Sequence, residues 1–218
     1  MDLTIASLSP ILIAVAALLI CLTVHEFSHA LAAYVQGDTT ARDAGRLTLN
    51  PIPHIDPIGT LLLPGLLLIA GSPVMFGWAR PVPFNPLNLR NGRLGALIVG
   101  LAGPLSNIIM CLAFGVALKI ALGTYEPSNF LILFLASLMV MNFVLGVFNL
   151  IPIPPLDGSK ILESIVSPRF FPVVEFLEQY GNYLLIFLLI INATVYPFLG
   201  IFLEKGIGVI TGLLDISF

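Results

Sequence analysis

Three ionisable side chains sit where an apolar helix would be expected to carry none. His25-Glu26-Phe27-Ser28-His29 follows directly from the uncharged run 3–24, and Ala30-Leu31-Ala32-Ala33 continues it. On a helix, residues four apart share one face about one turn apart, so His25 and His29 present two imidazoles side by side. Such a pair can ligate one tetrahedral Zn2+, with Glu26 close enough to act as general base on water at the metal. Zinc brings the pKa of that water to roughly 7. A third protein ligand must come from elsewhere, and Asp157 can supply a carboxylate oxygen. It ends the uncharged run 127–156, behind Asn149-Leu150-Ile151-Pro152-Ile153-Pro154-Pro155-Leu156 and ahead of Gly158. The prolines exclude regular helix and the glycine permits a tight turn, so the chain can aim Asp157 at the histidines. An interfacial aspartate capping the next helix is the other reading of this residue.

The pattern HExxH is short and would be a weak signal in a soluble helix. Its weight here comes from its surroundings. The chain has 218 residues, of which 58% are hydrophobic and 10% charged, and its mean hydropathy is +1.04. Soluble domains carry about 25% charged residues. So few charges cannot coat a soluble domain, which excludes an ordinary cytoplasmic enzyme and a disordered chain. Nine basic residues against 12 acidic ones also argue against a nucleic-acid-binding face. The chain reads as an all-α polytopic membrane protein, a helical bundle of about four to five spans in a lipid bilayer. An ionisable group near the bilayer centre costs about 3 kcal/mol on insertion scales, so it needs a partner or a watery cavity and marks function.

Five stretches lack any charged residue or histidine: 3–24, 57–79, 94–118, 127–156 and 179–203. The start, Met1-Asp2-Leu3, has no basic region, so 3–24 is expected to be a retained first span and not a cleaved signal peptide. Run 57–79 is broken by Pro57, Pro64 and Pro73 and by four glycines, which suits a re-entrant element better than a span. Segment 36–56 is polar and turn-rich, and Arg46-Leu47-Thr48-Leu49 alternates like a strand of a short β-hairpin. Segment 157–178 is charged and broken by Pro168 and Pro172, and reads as short interfacial helices before a C-terminal span. Cys21 and Cys111 lie in apolar runs and read as buried free thiols.

The two chemical motifs together resemble the site-2 protease family of intramembrane zinc metalloproteases. Gly103-Pro104-Leu105-Ser106-Asn107 is similar to that family's central span, and Asn50-Pro51 with His54-Ile55-Asp56-Pro57 and Gly59 is typical of its compact prokaryotic members. The resemblance covers roughly residues 20–160. It implies one Zn2+ per chain, held by His25, His29 and Asp157, with Glu26 as catalytic base. Many members carry a PDZ or CBS domain, for which this chain leaves no room. A single domain over 1–218 is expected, with its core at roughly 9–160.

Parity gives the topology. For Asp157 to reach the same metal as the histidines, an even number of crossings must separate them. Three elements intervene, and 57–79 is the one least suited to crossing. If it does not cross, seven of the nine basic residues (Arg42, Arg46, Arg80, Arg90, Arg93, Lys160 and Arg169) share one side, against Lys119 and Lys205. By the positive-inside rule that side is cytoplasmic, which puts the N-terminus outside and the active site toward the cytoplasmic half of a prokaryotic cell membrane.

Other polar residues leave alternatives open. His54 reads as a fourth ligand, a gate over the metal or a polar loop residue. Asn107 and Asn149 read either as interhelical hydrogen-bond glue or as groups that hold substrate backbone or an oxyanion. Asn142 carries a weaker signal of the same kind, and Gly100 and Gly103 read as sites of close helix packing. The expected activity is zinc-dependent endoproteolysis of transmembrane or membrane-proximal protein segments. The alternative is a metal-cation transporter or channel that uses the same His/Glu/Asp cluster.

Overall fold

A computed structural model describes residues 5–62, 65–66, 77–194 and 196–216. Six helices make the frame: α1 (Ile5–Val35), α2 (Gly92–Leu122), α3 (Phe130–Phe148), α4 (Asp157–Ile165), α5 (Phe171–Thr194) and α6 (Phe198–Leu213). A single helical turn at Thr40–Asp43 follows α1. Among the described residues four stretches are long and apolar enough to cross a membrane: Leu12–Val35, Gly92–Leu122, Phe130–Phe148 and Pro168–Asn192. The 16-residue α6 is shorter than the ~20 residues a span needs.

Helix α2 is the hub and packs against α1, α3 and α4. Cys21 of α1 and Leu138 of α3 are buried against each other beside Ala17. Cys111 and Leu118 of α2 pack with Ile132, Met139 and Phe143 of α3, and α6 closes over that layer. Lipid tails are as apolar as these side chains, so close packing and interhelical hydrogen bonds hold the helices together.

The C-terminal end of α1 and the N-terminal end of α2 meet. Arg90 N–H donates to Gln36 O at 3.1 Å, and Asn85 N–H donates to Asp38 Oδ2 at 2.7 Å. Between these points the chain runs through a 3-10 turn at Ile52–His54 and a π-helical turn at Pro57–Leu62. It returns through segment 78–85, which forms no helix or strand. Thr60 and Trp78 are joined by a 2.8 Å hydrogen bond from Thr60 Oγ1 to Trp78 O. Most of 63–76 lies outside the described residues, and with it the middle of the expected re-entrant element.

Two expectations are corrected. Among the described residues there is no strand: Arg46 has no regular structure and Leu47–Leu49 form bends. The alternation of this stretch is used locally: Leu47 packs on Ala30, Ala41 and Val82, while Thr48 O meets His54 Nε2 at 2.9 Å, so no ladder partner is required. Residues 171–178 belong to the long helix α5 and not to a short interfacial one. Pro172 sits in the first turn, where a missing N–H costs nothing. The uncharged stretch 179–203 is correspondingly split, with α5 ending at Thr194 and α6 beginning after Pro197.

Candidate metal centre

Helix α1 puts His25 and His29 on one face, with ring centroids 4.7 Å apart and planes at 82°. Asp157, the first residue of α4, comes to meet them. Its Oδ2 lies 3.0 Å from both Nε2 atoms, which are themselves 3.1 Å apart. All three residues are buried. The outer ring nitrogens are engaged elsewhere: His25 Nδ1 meets Asn107 Oδ1 at 2.5 Å, and His29 Nδ1 meets Val99 O at 2.6 Å. A carbonyl oxygen can only accept, so each Nδ1 carries a proton, and a neutral ring so protonated has its lone pair at Nε2, on the inward side. Two ring nitrogens and a carboxylate oxygen therefore face one another, an arrangement a cation satisfies. Three donors about 2.0–2.1 Å from one tetrahedral zinc lie roughly 3.3 Å apart, so the spacing found here fits such an ion. Among the described residues this is the one group of three His, Cys, Asp or Glu side chains able to hold a metal ion.

Local sequence explains how Asp157 arrives. Residues 150–156 leave α3 without forming helix, and Gly158 N–H closes the loop on Asn149 O at 2.6 Å. A Cβ at Gly158 would overlap the carbonyl oxygens of Leu150 and Ile151, so only glycine permits this closure. Lys160, one turn along α4, donates to Asp157 Oδ1 at 3.1 Å and leaves Oδ2 for the metal side. On the opposite wall, a Cβ at Gly103 would lie 2.6 Å from His25 Cε1 and closer still to His29 Nε2. Gly103 thus makes room for the imidazoles, a role beyond the helix packing read from sequence.

Glu26 is buried next to the first of these histidines and stands outside the metal-holding group. Its Oε2 accepts the Val82 N–H at 3.0 Å. Val82 belongs to segment 78–85, which is pinned along its length. Arg80 N–H donates to His54 O at 2.9 Å, and the Arg46 guanidinium donates to Arg80 O. At the far end Asn85 is held by Asp38, which is fully buried. Asp38 also accepts from Thr40 N–H, Thr40 Oγ1 and Asn88 Nδ2. Burial pushes its carboxyl pKa up, yet these four donors together hold it below the ordinary carboxylate value.

The remaining predicted residues divide. Asn107 is fully buried and touches His25, so it joins the cluster from behind a ligand. Asn149 caps α3, and its Nδ2 donates to Leu145 O at 3.0 Å. His54 is buried, stands outside the metal-holding group and braces Thr48 and Arg80. Sequence reasoning missed Lys160, Asp38 and Val82. Lys160 carried a signal, since it lies one helical turn beyond Asp157. Val82 carried none, because it acts through its backbone.

Known proteins give the same direction. The model of peptidase family M50 matches residues 118–192. A Bacillus subtilis relative named "Putative zinc metalloprotease YwhC" is 42% identical over 181 residues, covering 80% of this chain and 78% of its own. The chain belongs to peptidase family M50. A second relative, "Putative zinc metalloprotease Rip2" of Mycolicibacterium smegmatis, is 32% identical over 186 residues, covering 84% of this chain and 68% of its own. No solved structure matches. This M50 chain, with four helices able to cross a bilayer, is an integral-membrane member of a metalloprotease family.

Proposed function

We propose that the protein is a zinc-dependent intramembrane endopeptidase of the site-2 type, with His25, His29 and Asp157 as zinc ligands and Glu26 as general base. The observation that carries this reading is the convergence of ligand atoms from His25, His29 and Asp157 on one point, with the Glu26 carboxylate adjacent and outside the ligand set. Zinc bound there supplies Lewis acidity and brings the pKa of water at the site to about 7. Val82 N–H holds Glu26 Oε2, which leaves Oε1 to take a proton from the attacking water and pass it to the leaving amine. A cation pathway would use Glu26 as a further ligand, and its engagement by Val82 speaks against that role.

The substrate is a transmembrane or membrane-proximal segment of another protein. Residues 1–218 act as one metalloprotease domain. The two ends of segment 57–79 lie on one side of the bilayer: the hydrogen bonds between Gln36 and Arg90, and between Thr60 and Trp78, support this, since one crossing would part such partners by roughly 30 Å of hydrocarbon. The N-terminus is then outside the cell membrane, and the catalytic cluster opens toward the cytoplasm.

The test is cleavage of a model transmembrane substrate by purified wild type and Glu26→Gln, with zinc content measured alongside. Loss of a general base lowers the rate about 10²–10⁴-fold. The expected outcome is that loss with zinc retained. Glu26→Gln cleaving as well as wild type would refute the assignment of the base.

A further inference from the structure

Two asparagines, one on each of two apolar helices, are completely buried. We infer that Asn142 of α3 is a positioning residue that fixes the ring tautomer of His25 by acting through Asn107 of α2. The inference rests on the proposed metal site and adds a device that prepares one of its ligands.

The direction of the chain of hydrogen bonds is forced from one end. Asn142 Nδ2 donates to Leu138 O at 2.9 Å. A backbone carbonyl has no proton to give, so the Asn142 amide must face it with its NH2 group and turn Oδ1 the other way. That oxygen accepts from Asn107 Nδ2 at 2.8 Å. Asn107 therefore turns its own Oδ1 toward His25 Nδ1, 2.5 Å away. An oxygen there requires N–H at Nδ1, and a neutral ring protonated at Nδ1 has its lone pair at Nε2, on the metal side. A flipped Asn107 would offer N–H to Nδ1, put the ring proton on Nε2 and block the ligand position.

Asn107 has one other anchor, a 3.4 Å contact from Nδ2 to Cys21 O. This is longer than ordinary N–H···O bonds, so Asn142 is the stronger determinant. His29 needs no such relay, because its Nδ1 meets the backbone oxygen of Val99 directly at 2.6 Å, and a backbone carbonyl cannot flip. The two ligands of one centre are thus oriented by different means, and His29 serves as an internal control.

The experiment uses the full chain in detergent micelles, as wild type, Asn142→Leu and Asn107→Asp/Asn142→Leu. Zinc affinity is measured by competition with a chelator. Separately, 15N NMR of histidine-labelled, metal-free protein reads the tautomers, which is practicable because the chain has three histidines. Outer-shell partners of metal-binding histidines are typically worth 10–100-fold in affinity, and the Cys21 contact sets the expected loss in Asn142→Leu at about tenfold. In that variant His25 should show a second tautomer while His29 does not. Aspartate at 107 accepts with either oxygen, so the double variant should return His25 to one tautomer and recover most of the affinity. A purely structural role for Asn142 would lower stability without altering His25 alone, and Asn107→Asp would not rescue it. A single, unchanged His25 tautomer in Asn142→Leu overturns the relay, whatever the zinc result. Wild type that binds no zinc, with the tautomer shift still present, overturns the metal site and leaves the relay standing.

Discussion

A metal-binding carboxylate has two oxygens, and what holds the second one decides how the first is offered. In this protein the second oxygen of Asp157 belongs to Lys160, whose side chain is about one-third exposed. Exposed ion pairs contribute little, but this one restrains a buried group that must be aimed. Lys160→Met is expected to weaken zinc binding roughly tenfold, the lower end for loss of an outer-shell partner. Lys160→Arg, which can still donate to Oδ1, should stay near wild type. Chelator competition on the three proteins checks this, and equal affinities for all three would exclude the role. At the same scale Glu26 is held by a backbone N–H and not by a side chain, so no substitution at position 82 other than proline removes its partner.

At the scale of elements, segment 78–85 joins the loops to the Glu26 carboxylate. Its anchor at Asp38 is the most constrained charge in the loops, with four donors and no solvent exposure. Asp38→Asn replaces one acceptor oxygen by a donor and leaves at least one buried N–H without a partner. The expected cost is about 1–3 kcal/mol of stability, together with slower cleavage, because Val82 lies three residues from the lost anchor. The pH dependence has a definite sign. A carboxylate whose folded pKa is depressed stabilises the fold above its unfolded pKa and loses that contribution as pH falls through the folded value. The melting difference between wild type and Asp38→Asn should therefore be full at neutral pH. It should shrink as pH falls below the ordinary carboxylate range. A difference that stays constant into strong acid would show that Asp38 is not held ionised by these donors.

For the whole molecule the question is which face of the bilayer each loop occupies. Gln36 with Arg90, and Asp38 with Asn85 and Asn88, tie the end of α1 to the start of α2. Single cysteines placed at Ala44 and at Leu87, both exposed, should label from the same side. A cysteine at Thr124, beyond the far end of α2, should label from the other. Impermeant maleimide on intact cells and on inverted vesicles makes the distinction. Cys21 and Cys111 are buried and give little background. Opposite-side labelling of positions 44 and 87 would mean that 57–79 crosses, and Asp157 could then not meet the histidines.

Much of this was legible in the residues. Scarcity of charge declared the membrane. The i, i+4 histidine pair, the proline-rich turn and Asp157 named the cluster, because helical periodicity and the insertion cost of buried charge are local rules that act on sequence directly. Those rules misread Arg46–Leu49, where alternation arose from side-chain packing without a ladder, and they stopped short of α5, where Pro172 began a helix in place of ending one. What only the tertiary structure decided was the second layer: Asn107 behind His25, Lys160 behind Asp157, Val82 against Glu26 and Gly103 flat against both rings. Most of these join residues more than 50 positions apart, and one works through a backbone N–H that every residue but proline carries. The sequence by itself determined which groups are able to do the proposed chemistry, because that depends on side-chain type. Which groups orient them depends on distance and direction across packed helices, and no local pattern encodes those.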